Sequence, residues 1–226
     1  MTGIDDSNRD RHHFLSDDDR CVYFGEFFSN KTYKASATNQ LIKNFKRTPS
    51  EISASPNARQ LQYYKDKAIN EIAVALRKQF PVGSIERYTF VPIPSSKMPG
   101  HADYCDRLLQ TLKRAFPGFL GYKSVDIRSL LRQTQSTEAD HRSGSKRLKY
   151  DELLAITEID NAHTSTPLRQ ELILFDDVIT SGKHYKVAKQ RIRERFPDQV
   201  IWGMFVARAI HADDAEDFEP LDFDDD

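Results

Sequence analysis

Apolar and polar positions change rhythm several times along the 226 residues. Residues 1–20 hold few apolar side chains and two acidic clusters, which predicts a disordered leader in which His12 and His13 are tail residues rather than a metal pair. Cys21 to Phe28 is apolar and aromatic, a predicted strand. Asn39 to Arg47 reads as a short helix, and Thr48 to Asn57, rich in Ser and Pro, as a loop. From Ala58 to Phe80 the spacing is helical, with Leu61, Tyr64, Ala68, Ile72 and Ala75 on one face, closed by Pro81, Val82 and Gly83.

Beyond Gly83 the rhythm alternates. Tyr88 to Pro94 is a short strand, Ala102 to Phe116 a helix stopped by Pro117 and Gly118, and Ser124 to Leu131 a strand. Leu172 to Asp176 is a strand that leads through small residues into a helix from Tyr185 to Phe196. Val200 to Ile210 is a further strand, with Trp202 and Phe205 as core residues. Strands alternating with helices predict an α/β fold, a mainly parallel sheet with crossover helices. No internal repeat is visible.

Composition adds bounds. Hydrophobic residues at 38% and charged residues at 30% are the balance of a soluble globular protein. No apolar run approaches the roughly 18 residues of a membrane helix, and the polar stretch from Met1 to Arg20 does not read as a secretory signal. Cys21 and Cys105 lie far apart, which argues against a structural zinc site and for reduced thiols in a cytoplasmic location. The net charge of -1 conceals an asymmetry: residues 213–226 contain nine acids and no Lys or Arg. The remainder has 25 acids against 33 bases, a charge of +8 that suits a polyanionic ligand. The tail itself reads as a disordered acidic appendage.

The chemistry concentrates in Glu171 to His184 (ELILFDDVITSGKH). Leu172 to Phe175 form a strand buried on both faces, and the carboxylates Asp176 and Asp177 follow at its C-terminal end. Ligands of open α/β sheets bind outside the carboxyl ends of the strands. Thr180, Ser181, Gly182, Lys183 and His184 then offer backbone N–H groups, hydroxyls and a helix N-terminus to one anion. The carboxylates would repel that anion, so the ligand must also present hydroxyls or carry a divalent cation. A ribose 5-phosphate unit meets both demands.

This segment resembles the motif by which type I phosphoribosyltransferases bind 5-phosphoribosyl-1-pyrophosphate (PRPP), with His184 at a loop position where the family commonly has Thr. Tyr88 to Lys97 (YTFVPIPSSK), Leu130 to Leu154 (LLRQTQSTEADHRSGSKRLKYDELL) and Leu41 to Lys46 (LIKNFK) extend the likeness toward the ComF-like branch, without the Cys-rich zinc ribbon often found there. The resemblance implies a doubly wound, mainly parallel sheet with helices on both faces. It also implies a small N-terminal hood and helix at 21–80 and a PRPP-binding domain at 81–212, between the leader at 1–20 and the acidic tail at 213–226 that composition predicts.

The same resemblance implies roles. Asp176 and Asp177 would bind ribose and serve catalysis, Thr180 to His184 would hold the 5-phosphate, and Ser95, Ser96 and Lys97 would bind pyrophosphate. Arg132, Arg142 and Arg147, with Lys146, would belong to a mobile basic loop that excludes water. Mg²⁺ would be held mainly by the ligand, with Asp176 and Asp177 as outer-shell groups. The expected activity is transfer of 5-phosphoribosyl to an unidentified base, releasing pyrophosphate. The alternative is a PRPP- or nucleotide-binding regulator or effector without transfer, linked to DNA uptake, DNA processing or defence. A homodimer, nucleic acid and an operon-partner protein are further candidate partners, and no membrane is expected.

Overall fold

The computed structural model describes residues 1–137 and 148–210. Eight strands and six α-helices occur among them. In chain order these are β1 (Thr2–Gly3), β2 (Arg20–Phe28), α1 (Ala37–Lys46), α2 (Pro49–Ser53), α3 (Ala58–Lys78), β3 (Tyr88–Pro92) and α4 (Arg107–Ala115). There follow β4 (Asp126–Ile127), β5 (Leu131–Gln133), α5 (Tyr150–Ile156), β6 (Thr157–Ile159), β7 (Glu171–Ile179), α6 (Lys183–Arg195) and β8 (Val200–Ile210). The main sheet has six strands in the order β1-β2-β8-β7-β3-β4. Only β1 is antiparallel to its neighbour, and β5 and β6 form a separate antiparallel pair.

The period of two in β7 explains its central position. Leu172 and Leu174 enter one core and Ile173 and Phe175 the other, so the strand is apolar on both faces. On one side, Ile42 and Phe45 of α1, Ile69, Ile72 and Leu76 of α3, and Leu108 and Leu112 of α4 pack on Phe90, Phe175 and Met204. On the other, Tyr185, Ala188 and Ile192 of α6 pack on Val91, Ile201 and Phe205. The chain is thus α/β, with helices on both faces of a mostly parallel sheet. No helix among the described residues is long and apolar enough to cross a membrane.

Several expectations change. Residues 21–80 do not stand apart as a hood: β2 runs parallel to β8 inside the sheet, with Cys21 opposite Gly203, and α1 and α3 share the sheet's core. Residues 1–20 are not a disordered leader; Ile4, His12, Leu15 and Asp19 are buried, and Asp19 pairs with Lys186 at 2.7 Å and Lys189 at 2.5 Å on α6. Within 48–57, Thr48 and Glu51 form a capping box that starts α2, with Pro49 at the first helical position. The buried face of α3 is Ala68, Ile69, Ile72, Ala73 and Leu76, which leaves Tyr64 exposed. The helix expected from Ala102 begins at Arg107, and the strand expected over 124–131 divides into β4 and the start of β5.

Candidate functional site

β3 and β7 are adjacent and parallel, in register as far as Pro92 opposite Phe175. The helices that follow them leave toward opposite faces: α4 joins the core of Phe90 and Phe175, α6 that of Val91 and Leu174. Such a divergence opens a crevice at the C-terminal ends of the two strands. A crevice of ≈ 110 Å³ is found there. Ser95 and Ser96 border it from the loop after β3, and Asp176, Asp177, Thr180, Gly182, Lys183 and His184 from β7 and the turn into α6.

Lys46, the last residue of α1, and Arg107, the first of α4, complete the wall. Lys46 Nζ lies 2.9 Å from Asp177 Oδ1, and Arg107 Nη2 lies 2.6 Å from Asp177 Oδ2. The Arg107 guanidinium also stacks over the Phe45 ring at 5.5 Å. The two carboxylates therefore differ in state. Burial alone would raise the Asp177 carboxyl, but the charges of Lys46 and Arg107 hold it well below the usual carboxylate range. Burial, then the Asp177 charge, pushes Asp176 up to about 6, against the opposing charge of His184. Asp176 Oδ1 accepts the Asp177 backbone N–H at 2.7 Å.

The loop before α6 turns on Gly182, whose φ of +84° lies in the left-handed region. Residues 12–15 cover its outer side. The Phe14 N–H donates to the Ser181 carbonyl at 3.0 Å, a His12 ring nitrogen bonds the Thr180 carbonyl, and Leu15 packs on Gly182. In a trans peptide the C=O and the following N–H point in opposite directions. Fixing the Thr180 and Ser181 carbonyls toward the N-terminal segment therefore turns the N–H groups of Ser181 and Gly182 away from it. Burial lowers the pKa of His12 and the bond to the Thr180 carbonyl opposes that shift, since the ring donates its N–H there.

The remaining residues fall as follows. The Lys183 ammonium, on a buried side chain, donates to the Leu148 carbonyl at 2.6 Å and so ties α6 to the segment before α5. Lys97 borders a neighbouring cleft of ≈ 560 Å³ rather than the crevice, and its carbonyl accepts from the Ser95 hydroxyl at 2.8 Å. Arg132 is not in a loop; it belongs to β5 and pairs with Glu158 of β6 at 2.5 Å. Arg142, Arg147 and Lys146, and the acidic tail at 213–226, lie outside the described residues.

Sequence reasoning gave no role to Arg107 or to residues 12–15, and noted Lys46 only as part of a basic segment. In a helix expected from Ala102, Arg107 lies past the first turn and carries no signal; only with α4 beginning at Arg107 does its cation oppose the macrodipole and call for a carboxylate partner. His12 and Leu15, which are buried, and the half-buried Phe14 break the polar run of the leader.

The chain matches no family model, and no curated protein matches it.

Proposed function

We propose that this chain has the fold of a type I phosphoribosyltransferase and binds PRPP in the crevice between β3 and β7, transferring the 5-phosphoribosyl group to a nitrogenous acceptor with release of pyrophosphate. One observation carries the reading. A glycine turn into a helix N-terminus, two carboxylates of unlike state, a pair of serines and two cations converge at the ends of adjacent parallel strands. In this reading the turn from Thr180 to His184 receives the 5-phosphate through backbone N–H groups and the N-terminus of α6. Asp176 accepts the ribose hydroxyls and faces the positive charge that develops at C1. Ser95 and Ser96 meet the pyrophosphate, whose charge Lys46 and Arg107 offset from the anchor that Asp177 gives them.

The donor set bears on Mg²⁺. Among the described residues no group of three or more His, Cys, Asp or Glu could hold a metal. Asp177 is already paired with two cations, so Asp176 is the carboxylate with an oxygen to offer. This fits a Mg²⁺ that arrives on the ligand's own oxygens and meets Asp176 directly or through water. When bound it would supply charge neutralisation of the pyrophosphate.

A second reading, PRPP binding without transfer, is favoured by the same pairing, because it leaves the ribose a single carboxylate. One experiment separates the two. The chain is incubated with PRPP, Mg²⁺ and a mixture of bases, and pyrophosphate is measured alongside calorimetric PRPP affinity. Transfer predicts base-dependent pyrophosphate that Asp176→Asn abolishes. Binding without pyrophosphate leaves the second reading, and absence of PRPP binding removes both.

A further inference from the structure

Phe27 near the end of β2 and Ala209 near the end of β8 stand opposite each other in register and wall a basic cavity of ≈ 1250 Å³. That exceeds the roughly 300–1,000 Å³ of a pocket that encloses one small ligand, so there is room for a length of peptide. Arg11 of the N-terminal segment, with Lys43 and Arg47 at the end of α1, brings positive charge to it from two separate elements. Lys43 Nζ donates to the Lys31 carbonyl at 3.1 Å, and Arg47 Nε to Asn44 Oδ1 at 3.4 Å. Both contacts orient a charge without cancelling it.

Glu51 is the one acid among the described lining residues, and it is turned to its helix cap, where it accepts the Thr48 N–H at 2.9 Å. Phe27 and Tyr33 give the wall an aromatic surface beside the cations. A concave surface of this kind focuses its field on an anionic occupant, and the aromatic part asks that the occupant carry apolar groups too.

The chain itself supplies such a segment at the rim. Ile210, the last described residue, follows Ala209, and its carbonyl accepts the N–H of Ser29, another wall residue, at 3.1 Å. Beyond it come the sixteen residues 211–226, enough to reach about 50 Å when extended. They hold nine acids, no Lys or Arg, and the apolar side chains Phe218, Leu221 and Phe223.

We propose that the acidic tail docks in this cavity in cis, whatever the crevice binds. Its acids meet Arg11, Lys43 and Arg47, and Phe218 packs on Phe27 and Tyr33. Attachment at Ile210 gives it a local concentration on the order of millimolar, against which a free polyanion must compete. Docked there, the tail withholds the cavity's positive charge from other polyanions, which bind only by displacing it.

Carbodiimide cross-linking of the full chain, which joins a carboxylate directly to a lysine amine, tests this once the products are mapped by mass spectrometry. Tail acids are expected on Lys43 and not on Lys123, an exposed lysine ahead of β4 at the opposite end of the parallel strands. At about 1 M salt, where charges are screened beyond about 3 Å, the Lys43 products should fall sharply. Arg47→Gln should lower their yield about threefold, the worth of one exposed ion pair. Phe218→Ser with Phe223→Ser keeps the net charge, yet should raise heparin retention toward that of a chain lacking 213–226. Retention indifferent to the two Phe substitutions would reduce the tail to a diffuse charge and overturn the docking, as would cross-links that reach Lys123 as often as Lys43. Cross-links between two chains, seen at twice the mass, would move the tail onto a second copy and overturn its placement in cis.

Discussion

Asp176 and Asp177 are neighbours in sequence, yet their side chains stand in unlike surroundings, Asp177 between two cations and Asp176 against the Asp177 charge. Asp177 is the counter-ion of Lys46 and Arg107, and removing its charge strands two partly buried cations. Asp177→Asn is therefore expected to destabilise the fold by about 3 kcal/mol, measured by urea denaturation at neutral pH. Asp176 is held above the ordinary carboxylate range, at about 6, by burial and by Asp177. Between about pH 4 and that value the folded chain keeps a proton that the unfolded chain releases, so stability falls as pH rises through this window. Asp176→Asn removes that loss and should be more stable than the parent at pH 7 by about 1–3 kcal/mol, while ribose 5-phosphate affinity drops. Denaturation curves at a series of pH values check the sign. A parent protein that gains stability over the same window, relative to Asp176→Asn, would place the raised carboxyl elsewhere. The doublet itself was legible in the sequence, as two acids after an apolar strand. The difference in their surroundings was not, because it depends on cations contributed by α1 and α4, far away in the chain.

The element that organises the site is β7 with its turn and α6, and its second layer is the N-terminal segment. Gly182 combines a positive φ with a Cβ direction that would bring a methyl to 2.9 Å from Leu15 Cδ2. Gly182→Val should accordingly be the most damaging change in the loop for ribose 5-phosphate affinity, with Thr180→Ala intermediate. Lys183→Ala should act on stability rather than affinity, because its ammonium holds the Leu148 carbonyl. Removing residues 1–15 should weaken sugar-phosphate binding about tenfold or more, since the Thr180 and Ser181 carbonyls then lose the contacts that orient them. Binding unchanged by that truncation would mean that the turn holds its shape alone. Local pattern explains what could be read in advance. β7 and β8 are long buried runs bounded by turn residues, and α6 follows a small-residue turn. The order in residues 1–20 was not readable, because it comes from contacts with Thr180, Ser181, Gly182 and α6 rather than from periodicity within the segment. α2 is the opposite case. The signal of Thr48, Pro49 and Glu51 lay in plain sequence, masked by a Ser- and Pro-rich composition.

At the scale of the whole molecule, the α/β class followed from alternating segments, but the place of β2 did not. Its partner β8 lies across nearly the entire chain, with Arg20 opposite Trp202, and no local pattern reports a pairing of that separation. Charge, unlike register, can be summed from sequence. Residues 1–212 carry +8 and residues 213–226 carry nine acids without a Lys or Arg. The two blocks have opposite effects on a polyanion, since positive charge releases condensed counterions from it and negative charge repels it. Deleting 213–226 changes the net charge from -1 to +8 and leaves the crevice, the basic cavity and the sheet untouched in sequence. The truncated chain should therefore elute from heparin at higher salt than the full chain. The difference should fade as ionic strength rises, because at about 0.15 M the Debye length is only about 8 Å. Ribose 5-phosphate affinity is the internal control. In the proposed reading the small ligand occupies a crevice lined by the charges of Lys46, Arg107, Asp176, Asp177 and Lys183, so deletion should change its affinity far less than it changes heparin retention. Equal elution of both forms at low salt would show that the tail's charge does not reach the surface that polyanions use. A large gain in sugar-phosphate affinity with no change on heparin would locate its effect at the crevice instead.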